Sequence, residues 1–313
     1  MDDDFEIRYR DRRTDRTVME PLSYGFFQRV FQSSFVLGLF HLLLNNSVFC
    51  RFYGWVQARP GSRRKISRFV RDYGIDVEEI EFPPERYPNF NAFFTRRLKP
   101  GARPFAPEPD ALSCPADGKV MVFQHLLEGA RIPVKGGAVP LDLLLDSDEE
   151  ARPYLHGSAL VVRLAPYDYH RFHFPDSGVA GPARVVRGRY YIVNPLGLAR
   201  VTGVFRRNRR AVTRFDSDGF GRIAYLEIGG FAVGSIVETY TPGPVERGQE
   251  KGFFQFGGST LVLLFEPGTV VFDNDLKEES GRGIEVHVRA GNRIGMRIQD
   301  RGDRTRPADK SSG

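Results

Sequence analysis

Apolar and polar positions follow a helical period in the first part of the chain. In residues 23–44, apolar side chains recur three and four positions apart, so they form one stripe along a helix. The stripe consists of Phe27, Val30, Phe31, Phe35, Leu39 and Leu42. The longest apolar run, residues 35–44, is interrupted by His41 and is shorter than the ~20 residues that a membrane-spanning helix needs. We therefore expect an amphipathic helix and no membrane span.

Two further helices are predicted before residue 75. One covers residues 48–58, and the next begins at Ser62, a good N-cap residue. The buried side of this third helix is predicted to carry Ile66, Phe69, Val70 and Tyr73. Its other faces carry Arg63, Arg64, Lys65, Arg68 and Arg71. This pattern is typical of a helix in a membrane interface, although a docked helix with a solvated face gives it as well.

After residue 84 the hydrophobic pattern changes to a strand-like period. Short apolar runs alternate with turns rich in Gly, Pro and Asp, and no run between residues 110 and 295 has a long helical period. Representative strands are predicted at 118–123, 159–164, 230–237 and 260–265, with a short helix at 140–145. The chain is therefore predicted to be an α+β protein, with N-terminal amphipathic helices followed by a β-rich domain of the sandwich or barrel type.

The same patterns divide the chain into four regions. Residues 1–20 mix Asp and Arg without an apolar period and are predicted to be a mobile tail. The amphipathic helices occupy residues 21–75, and the β-rich domain occupies residues 76–298. Residues 299–313 are polar and are predicted to be a second tail.

Composition and charge narrow the functional classes. The chain has 313 residues, of which 41% are hydrophobic, and its 33 Gly and 21 Pro exclude a helical bundle and a disordered or collagenous chain. Two cysteines exclude a disulfide scaffold and a four-thiolate zinc site. A net charge of +6 suits nucleic acid or an anionic membrane surface, and it equally suits simple solubility. The acidic start of the chain does not resemble a secretory signal.

Two histidines three positions apart form the first candidate site. His170 and His173 lie among aromatic residues between Pro166 and Pro175, in a chain with only six histidines. On a helix they would share a face and could bind a metal, but the prolines favour a loop or a strand end. No third ligand is evident, so no metal site is expected. Taken alone, the motif is more typical of core histidines held by hydrogen bonds.

Two shorter motifs become informative beside the histidines. Asp117 and Gly118 form a turn that enters a strand, and the aspartate could orient an imidazole. Ser259 follows Gly257 and Gly258 between two predicted strands, where glycines allow backbone conformations closed to other residues. A serine hydroxyl held against its own preceding carbonyl can move the acyl group from nitrogen to oxygen. β-Elimination of this ester and loss of the imine nitrogen would leave a pyruvoyl group. Alone, either motif is usually a turn.

Together, these segments resemble the phosphatidylserine decarboxylase family, which uses a self-generated pyruvoyl group. The resemblance runs from about residue 52 to residue 295. It includes the segments 51–55, 91–104, 115–119, 169–175, 193–195, 256–266 and 291–295. The chain departs from the family at residues 208–210, where Asn-Arg-Arg replaces the usual Asn-Glu-Arg. This change affects a salt bridge and not the chemistry.

The resemblance implies a role for each candidate residue. Ser259 would be the self-cleaving nucleophile, with the cut between Gly258 and Ser259, and it would become the pyruvoyl cofactor. His173 would be its general base and Asp117 would hold the ring, so the His173 ring is expected within hydrogen-bond distance of Asp117 and Ser259. His170 would face the substrate, either as proton donor to the carbanion or as a residue that shapes the pocket.

The resemblance also implies the reaction, the partners and the location. The family converts phosphatidylserine to phosphatidylethanolamine and carbon dioxide through a Schiff base, so a carboxy-lyase without a dissociable cofactor is expected. Cleavage would give a large chain, residues 1–258, and a small chain, residues 259–313. The 76–298 region would be the catalytic domain, and the 21–75 helices would hold it peripherally on the cytoplasmic side of the cell membrane. The assembly state, with a homodimer as one alternative, is left open.

Three other functions stay as alternatives. A pyruvoyl decarboxylase could act on a soluble amino acid, but such a substrate would not need interfacial helices. A non-catalytic lipid-binding module would never cut at Ser259. The basic cluster at residues 206–210 suggests nucleic-acid binding, but it lacks a recognition module and a solvated loop explains it, so no nucleic-acid partner is expected.

Overall fold

The computed structural model describes residues 8–20, 47–126, 131–134, 137–188, 208–230, 236–255, 257 and 259–298. The first predicted helix, with its apolar stripe from Phe27 to Leu42, lies outside these residues, as does the predicted polar tail at 299–313. In the described part of the chain, no helix is both long enough and apolar enough to cross a bilayer.

Short helices and many strands make up the described part of the chain. The α-helices are α1 (Ser47–Gln57), α2 (Ile66–Tyr73), α3 (Phe90–Phe94), α4 (Leu141–Leu145), α5 (Asp148–Ala151) and α6 (Asn274–Gly281). Turns of 3₁₀ helix cover Pro60–Lys65, Pro84–Arg86 and Arg152–Tyr154. The first strands are β1 (Arg8–Asp11), β2 (Arg16–Met19), β3 (Ala111–Ser113), β4 (Gly118–Phe123), β5 (Arg131–Val134), β6 (Gly137–Pro140), β7 (Ser158–Leu164), β8 (Arg171–His173), β9 (Gly178–Ala180) and β10 (Arg184–Val186). The remaining strands are β11 (Arg210–Ser217), β12 (Gly221–Gly229), β13 (Ile236–Glu238), β14 (Gly243–Val245), β15 (Glu250–Phe254), β16 (Ser259–Phe265), β17 (Val270–Phe272), β18 (Glu285–Val288) and β19 (Arg293–Arg297).

The α+β class with a β-rich domain is confirmed. Strands β4, β7 and β16 match the predicted strands at 118–123, 159–164 and 260–265, and α4 matches the short helix at 140–145. The predicted strand at 230–237 is confirmed only where β13 begins, because residues 231–235 lie outside the described residues.

One large sheet organises the strands. Among the described residues it has eleven strands in the order β14-β9-β11-β12-β16-β7-β4-β18-β1-β2, and β10 pairs with β11 beside this path. Its neighbours are antiparallel except for β1 and β18, which are parallel. Smaller sheets are formed by β13-β15-β8, by β17-β19-β3 and by the pair β5-β6. Strand β16 therefore lies inside the large sheet, between β12 and β7.

Both faces of the large sheet are buried at its centre. Along β16, Leu261 and Leu263 belong to one core cluster, whereas Val262 and Leu264 belong to the other. This alternation follows from strand geometry, because successive side chains point to opposite faces. Ser259 has the parity of Leu261, so its side chain lies on the face that packs against β8 and β15.

The helical region before residue 100 has its own core. Its members are Ile66, Ile80, Tyr87, Phe90, Phe93 and Phe94. Helix α1 confirms the helix predicted at 48–58, and it exposes Phe52 and Trp55, whose rings stack with centroids 5.9 Å apart.

The third predicted helix begins later than the sequence predicts. A 3₁₀ turn precedes α2, and Ser62 does not cap a helix. Its buried hydroxyl lies 2.7 Å from the carbonyl oxygen of Gln57 and accepts a hydrogen bond from the amide of Phe90 at 2.9 Å. A tertiary contact thus takes the hydroxyl that would have capped the helix. The basic side chains of this segment are exposed, as predicted.

Residues 8–20, assigned from the sequence to a mobile tail, instead form a hairpin on the large sheet. Strand β1 pairs with β18, and β2 pairs with β1. Ion pairs fasten this hairpin, since the buried guanidinium of Arg163 lies 2.8 Å from Glu20 and 2.6 Å from Glu285. Charged contacts of this kind leave no apolar period in the sequence, which is why the pattern predicted a tail.

Replacing Arg163 with Met should lower the free energy of unfolding by about 3–5 kcal/mol, because two buried carboxylates lose their shared cation. Urea unfolding of the full chain measures this loss. The control is Arg214→Met, whose ion pair with Asp216 is exposed and should contribute less than about 1 kcal/mol. Equal small losses in the two variants would show that the buried ion pairs do not hold the hairpin.

Candidate active site

Ser259 is fully buried at the start of β16. Its neighbours across the sheet are Leu164 on β7 and Gly229 on β12. Gly257, two residues earlier, has a φ of 144°, which residues with a side chain rarely adopt. Gly258, the residue before the predicted cut, lies outside the described residues. Because β16 is paired on both sides, the sheet fixes the position of the Ser259 hydroxyl.

The Ser259 hydroxyl contacts His170. Its Oγ lies 3.2 Å from Nδ1 of His170, and Nε2 of the same ring lies 3.0 Å from the carbonyl oxygen of Ala165. A carbonyl oxygen can only accept, so Nε2 carries the ring proton and Nδ1 has a free lone pair. The hydroxyl therefore donates to Nδ1. In this arrangement a neutral imidazole can take up the hydroxyl proton.

A turn built around Asp168 positions the His170 ring. The Asp168 carboxylate accepts from the amide of Ala165 at 2.7 Å, and the Asp168 amide donates to the Ala165 carbonyl at 2.9 Å. The fully buried Lys119 donates to both carboxylate oxygens, at 2.9 and 3.1 Å. Burial alone would raise the pKa of Asp168, but Lys119 and His287 hold it well below its ordinary range. The charged carboxylate thus fixes the carbonyl that binds His170.

The surroundings of His170 keep its ring neutral. The ring stacks on Phe94 with centroids 4.0 Å apart, and its side chain is fully buried. Burial, with the charges of Arg96 and Lys119, lowers the pKa of His170 to about 3 against the opposing charge of Asp168. At neutral pH the ring is therefore uncharged and able to accept a proton.

Asp117 is held by partners other than a histidine. Arg103 donates to both of its carboxylate oxygens at 2.7–3.1 Å, and the amide of Ala290 donates at 2.8 Å. Arg103 also donates to Glu79 at 2.9 Å. These bonds tie the turn before β4 to the segment between β18 and β19.

His173 does not make the hydrogen bonds predicted for it. Its ring packs against Phe105 and Tyr169, and its buried Nδ1 has no hydrogen-bond partner among the described residues. The contact with Ser259 that the sequence predicts for His173 is made by His170 instead. The physical reason is that residues three apart on an extended segment point to opposite faces. The role of general base for His173 stays a prediction.

Lys119 and Asp168 are positioning residues that the sequence reasoning did not assign. Lys119 ends the 115–119 segment of the family resemblance and Asp168 directly precedes the 169–175 segment, but the resemblance gave roles only to their neighbours. A signal was present, because a lysine within the apolar strand β4 is costly to bury unless an anion accompanies it. That signal predicts a partner without identifying it.

The described residues were also compared with what a metal site and a reactive thiol require. No group of three His, Cys, Asp or Glu side chains there could hold a metal ion. Cys114 is a free, buried thiol, and burial raises its pKa to about 12, so it is not a thiolate at neutral pH.

Comparison with known proteins identifies relatives along nearly the whole chain. The family described as phosphatidylserine decarboxylase matches residues 90–296. A Chlamydia muridarum protein is 41% identical over 295 residues, covering 94% of this chain and 98% of that protein. A Desulfitobacterium hafniense protein is 40% identical over 94% of this chain and 100% of its own length, and a Clostridium botulinum protein is 37% identical over 93% and 99%. All three are named phosphatidylserine decarboxylase proenzyme, and none is named for a soluble amino acid or nucleic acid.

The buried neutral His170 should make the protein sensitive to acid. Below a pH of about 6.5, His170 binds a proton in the unfolded chain, whereas the native ring does not bind one until about pH 3. The free energy of unfolding therefore falls as the pH falls through this window. The expected contribution is up to about 1.4 kcal/mol per pH unit. With Ser259→Ala present in every protein compared, so that all remain one chain, unfolding free energies measured between pH 7 and pH 4 should therefore depend less steeply on pH in His170→Asn.

The matched control is His156→Asn. His156 is exposed and has a φ of 61°, which Asn tolerates, so this variant should keep the slope of the unchanged protein. Burial also lowers the pKa of His173, so part of the slope should survive in His170→Asn. An unchanged slope in His170→Asn would contradict the assignment.

Proposed function

The chain belongs to the phosphatidylserine decarboxylase family, and on this premise we propose that it converts phosphatidylserine to phosphatidylethanolamine and carbon dioxide, with a pyruvoyl group made from Ser259. The observation that carries the proposal is the hydrogen bond from the buried Ser259 hydroxyl to Nδ1 of His170. It supplies a nucleophile beside a neutral base at the residue where the sequence predicts the cut.

The surroundings of Ser259 suit a pyruvoyl group. Its side chain is shielded from solvent, and its backbone is fixed by pairing with β7 and β12, so a carbonyl formed there would have a fixed direction. Such a group draws electrons from the carbon that loses its carboxylate, as pyridoxal phosphate does in other enzymes. The protein residues around it would orient the head group, exclude water and deliver a proton. His170 is the proposed donor, and it must first take up a proton on Nδ1, because the neutral ring holds its own proton on Nε2.

Self-cleavage would use the residues of the chain itself. The Ser259 hydroxyl attacks the Gly258 carbonyl carbon and gives up its proton to a histidine. The peptide C–N bond breaks and an ester forms. Removal of the Ser259 α-proton expels the Gly258 carboxylate and cuts the chain. Tautomerisation to an imine and addition of water then release ammonia and leave the pyruvoyl group on the small chain.

The proposed site consists of Asp117, His173, His170 and Ser259. Two assignments of the general base are to be distinguished. The family resemblance gives this role to His173, oriented by Asp117. The hydrogen bond favours His170, whose lone pair already faces the hydroxyl. A base at His173 would require its ring to exchange Phe105 and Tyr169 for Ser259.

The large and small chains are proposed to stay together after the cut. Strand β16 of the small chain lies between β12 and β7 of the large chain, and β18 pairs with β4. Strand β19 likewise pairs with β3. A homodimer of the processed protein is left as one alternative for the assembly.

We also propose peripheral association with an anionic membrane surface on the cytoplasmic side of the cell membrane, where the lipid substrate lies. Helix α1 exposes Phe52 and Trp55, and the guanidinium of Arg59 lies 4.0 Å from the Trp55 ring centre. Aromatic rings beside cations are suited to the head-group region. The exposed basic residues of the following segment add attraction to anionic lipid.

The unchanged protein should give two chains, residues 1–258 and 259–313, and the small chain should begin with a pyruvoyl group instead of an amine. Ser259→Ala should remain one chain because it lacks the attacking hydroxyl. Intact-mass measurement of purified protein checks both outcomes. Ser67→Ala, which changes an exposed serine on α2, is the control and should cut normally. A single uncut chain in the unchanged protein would refute self-processing.

The same cleavage assay separates the two histidines. Loss of the base should slow cleavage at least about 100-fold, so slow cutting in His170→Ala alone supports His170, and slow cutting in His173→Ala alone supports His173. His125→Ala, at an exposed position, is the control. If His170→Ala cuts normally but decarboxylates slowly, His170 belongs to the substrate step. Normal cutting by both variants would exclude both as the base.

Changing Arg63, Arg64, Lys65 and Arg68 together to Gln should weaken binding to phosphatidylserine vesicles by about 100-fold or more at low salt, because each cation contributes about 1 kcal/mol near such a surface. Vesicle sedimentation measures the bound fraction. High salt should weaken vesicle binding by the unchanged protein without releasing the protein fully. Arg214→Gln, at an exposed position outside this segment, is the control. Binding that neither salt nor the fourfold change affects would contradict an electrostatic contribution.

A further inference from the structure

Arg96 is a buried cation with unused hydrogen-bond donors. Its side chain is 4% exposed, and Nη2 donates to the carbonyl oxygens of Tyr167 and Asp168 at 3.0 and 3.3 Å. Its guanidinium lies 5.2 Å from the centre of the Phe93 ring. Its Nε and Nη1 are buried and have no hydrogen-bond partner among the described residues, and no carboxylate there forms an ion pair with it. The described part of the chain therefore leaves two nitrogens of a buried charged group without an acceptor.

Three other buried cations in the described part of the chain have carboxylate partners, whereas the described hydrogen bonds of the buried Arg210 go to backbone carbonyls. Arg163 has two, Lys119 has Asp168, and Lys251 has a glutamate 2.6 Å away. A buried charge without a partner costs several kcal/mol, and an unsatisfied buried donor in a native protein calls for an explanation. An anionic ligand that completes the guanidinium provides one. Arginine is also the side chain best suited to phosphate and carboxylate groups.

Arg96 is anchored to the turn that positions His170. The two residues before Arg96 contact the segment that contains His170. Phe94 stacks on the His170 ring, and the Thr95 carbonyl accepts hydrogen bonds from Arg171 at 2.9 and 3.1 Å. The Arg96 charge is close enough to His170 to lower its pKa. An anion bound to Arg96 would therefore lie beside the histidine that contacts Ser259.

We propose that Arg96 binds the phosphodiester of the phospholipid head group. This inference rests on the proposed function, which supplies a substrate with two anions, a carboxylate and a phosphodiester. The carboxylate loses its negative charge as the C–C bond breaks, because neutral carbon dioxide leaves and the electron pair stays on the substrate. A cation bound to the carboxylate would therefore stabilise the substrate more than the transition state. The phosphodiester keeps its charge from substrate to product. Binding it would hold the lipid in place without opposing the reaction.

The test compares Arg96→Met with Arg97→Met, the same change at the adjacent and exposed arginine. Processed enzyme is assayed on phosphatidylserine in mixed micelles, with phosphatidylethanolamine as inhibitor, because this product has the phosphodiester but no carboxylate. Arg96→Met should cut itself normally and raise KM by about 10- to 100-fold, with kcat changed only a few-fold. Inhibition by phosphatidylethanolamine should weaken by the same factor. Arg97→Met should match the unchanged enzyme.

Two results would overturn the inference. An unchanged KM in Arg96→Met would remove Arg96 from substrate binding, and a raised KM with unchanged inhibition by phosphatidylethanolamine would assign it to the carboxylate. If Arg96→Met fails to cut itself, Arg96→Gln keeps a donor for the turn carbonyls without the charge, and the same KM criteria apply to it. Failure of the unchanged enzyme to decarboxylate phosphatidylserine would instead refute the proposed function, and the two failures are therefore distinct.

Discussion

The buried ion pair between Lys119 and Asp168 is the interaction on which the site geometry depends. Two charges without solvent must be paired, and removing one partner of such a pair costs about 3–5 kcal/mol, so the turn at residues 165–168 has one favoured arrangement. That arrangement places the Ala165 carbonyl under Nε2 of His170, which fixes the tautomer and leaves Nδ1 for Ser259. A charge on β4 thus controls which nitrogen of a distant ring can accept a proton.

Two buried cations near His170 differ in whether the described residues supply them with a carboxylate. His170 is neutral because it is buried and lies near two cations, Lys119 and Arg96. Lys119 already has its anion, whereas Arg96 has none among the described residues. One cation therefore maintains the protein geometry, and the other is available to a ligand. Burying a charge is costly at both positions. The carboxylate of Asp168 offsets this cost for Lys119, and no described carboxylate does so for Arg96.

The sequence predicted those features that depend on local pattern. The α+β class, helix α1, strands β4, β7 and β16 and the burial of Ile66 follow from period and composition. The hairpin at residues 8–20 could not be predicted this way, because ion pairs with residues far along the chain hold it. The sequence also could not show which of the two histidines contacts Ser259, since this depends on the turn at residues 165–168 that positions the His170 ring. The sequence predicted that the Ser62 hydroxyl caps a helix, but this hydroxyl accepts a tertiary hydrogen bond from the Phe90 amide instead.

The central place of β16 has a consequence for how the processed protein can be made. If the chain is cut before Ser259 as proposed, strands of the small chain would stay paired with strands of the large one, and every backbone pair across those borders would join two molecules. Unfolding then releases two chains, so refolding becomes a bimolecular reaction that depends on concentration, whereas the precursor folded as a single chain. The paired strands would thus form while the precursor is one chain, and the two separated chains could not re-form them as readily. The processed enzyme would therefore persist through slow unfolding, and its lifetime would be set by a rate instead of an equilibrium.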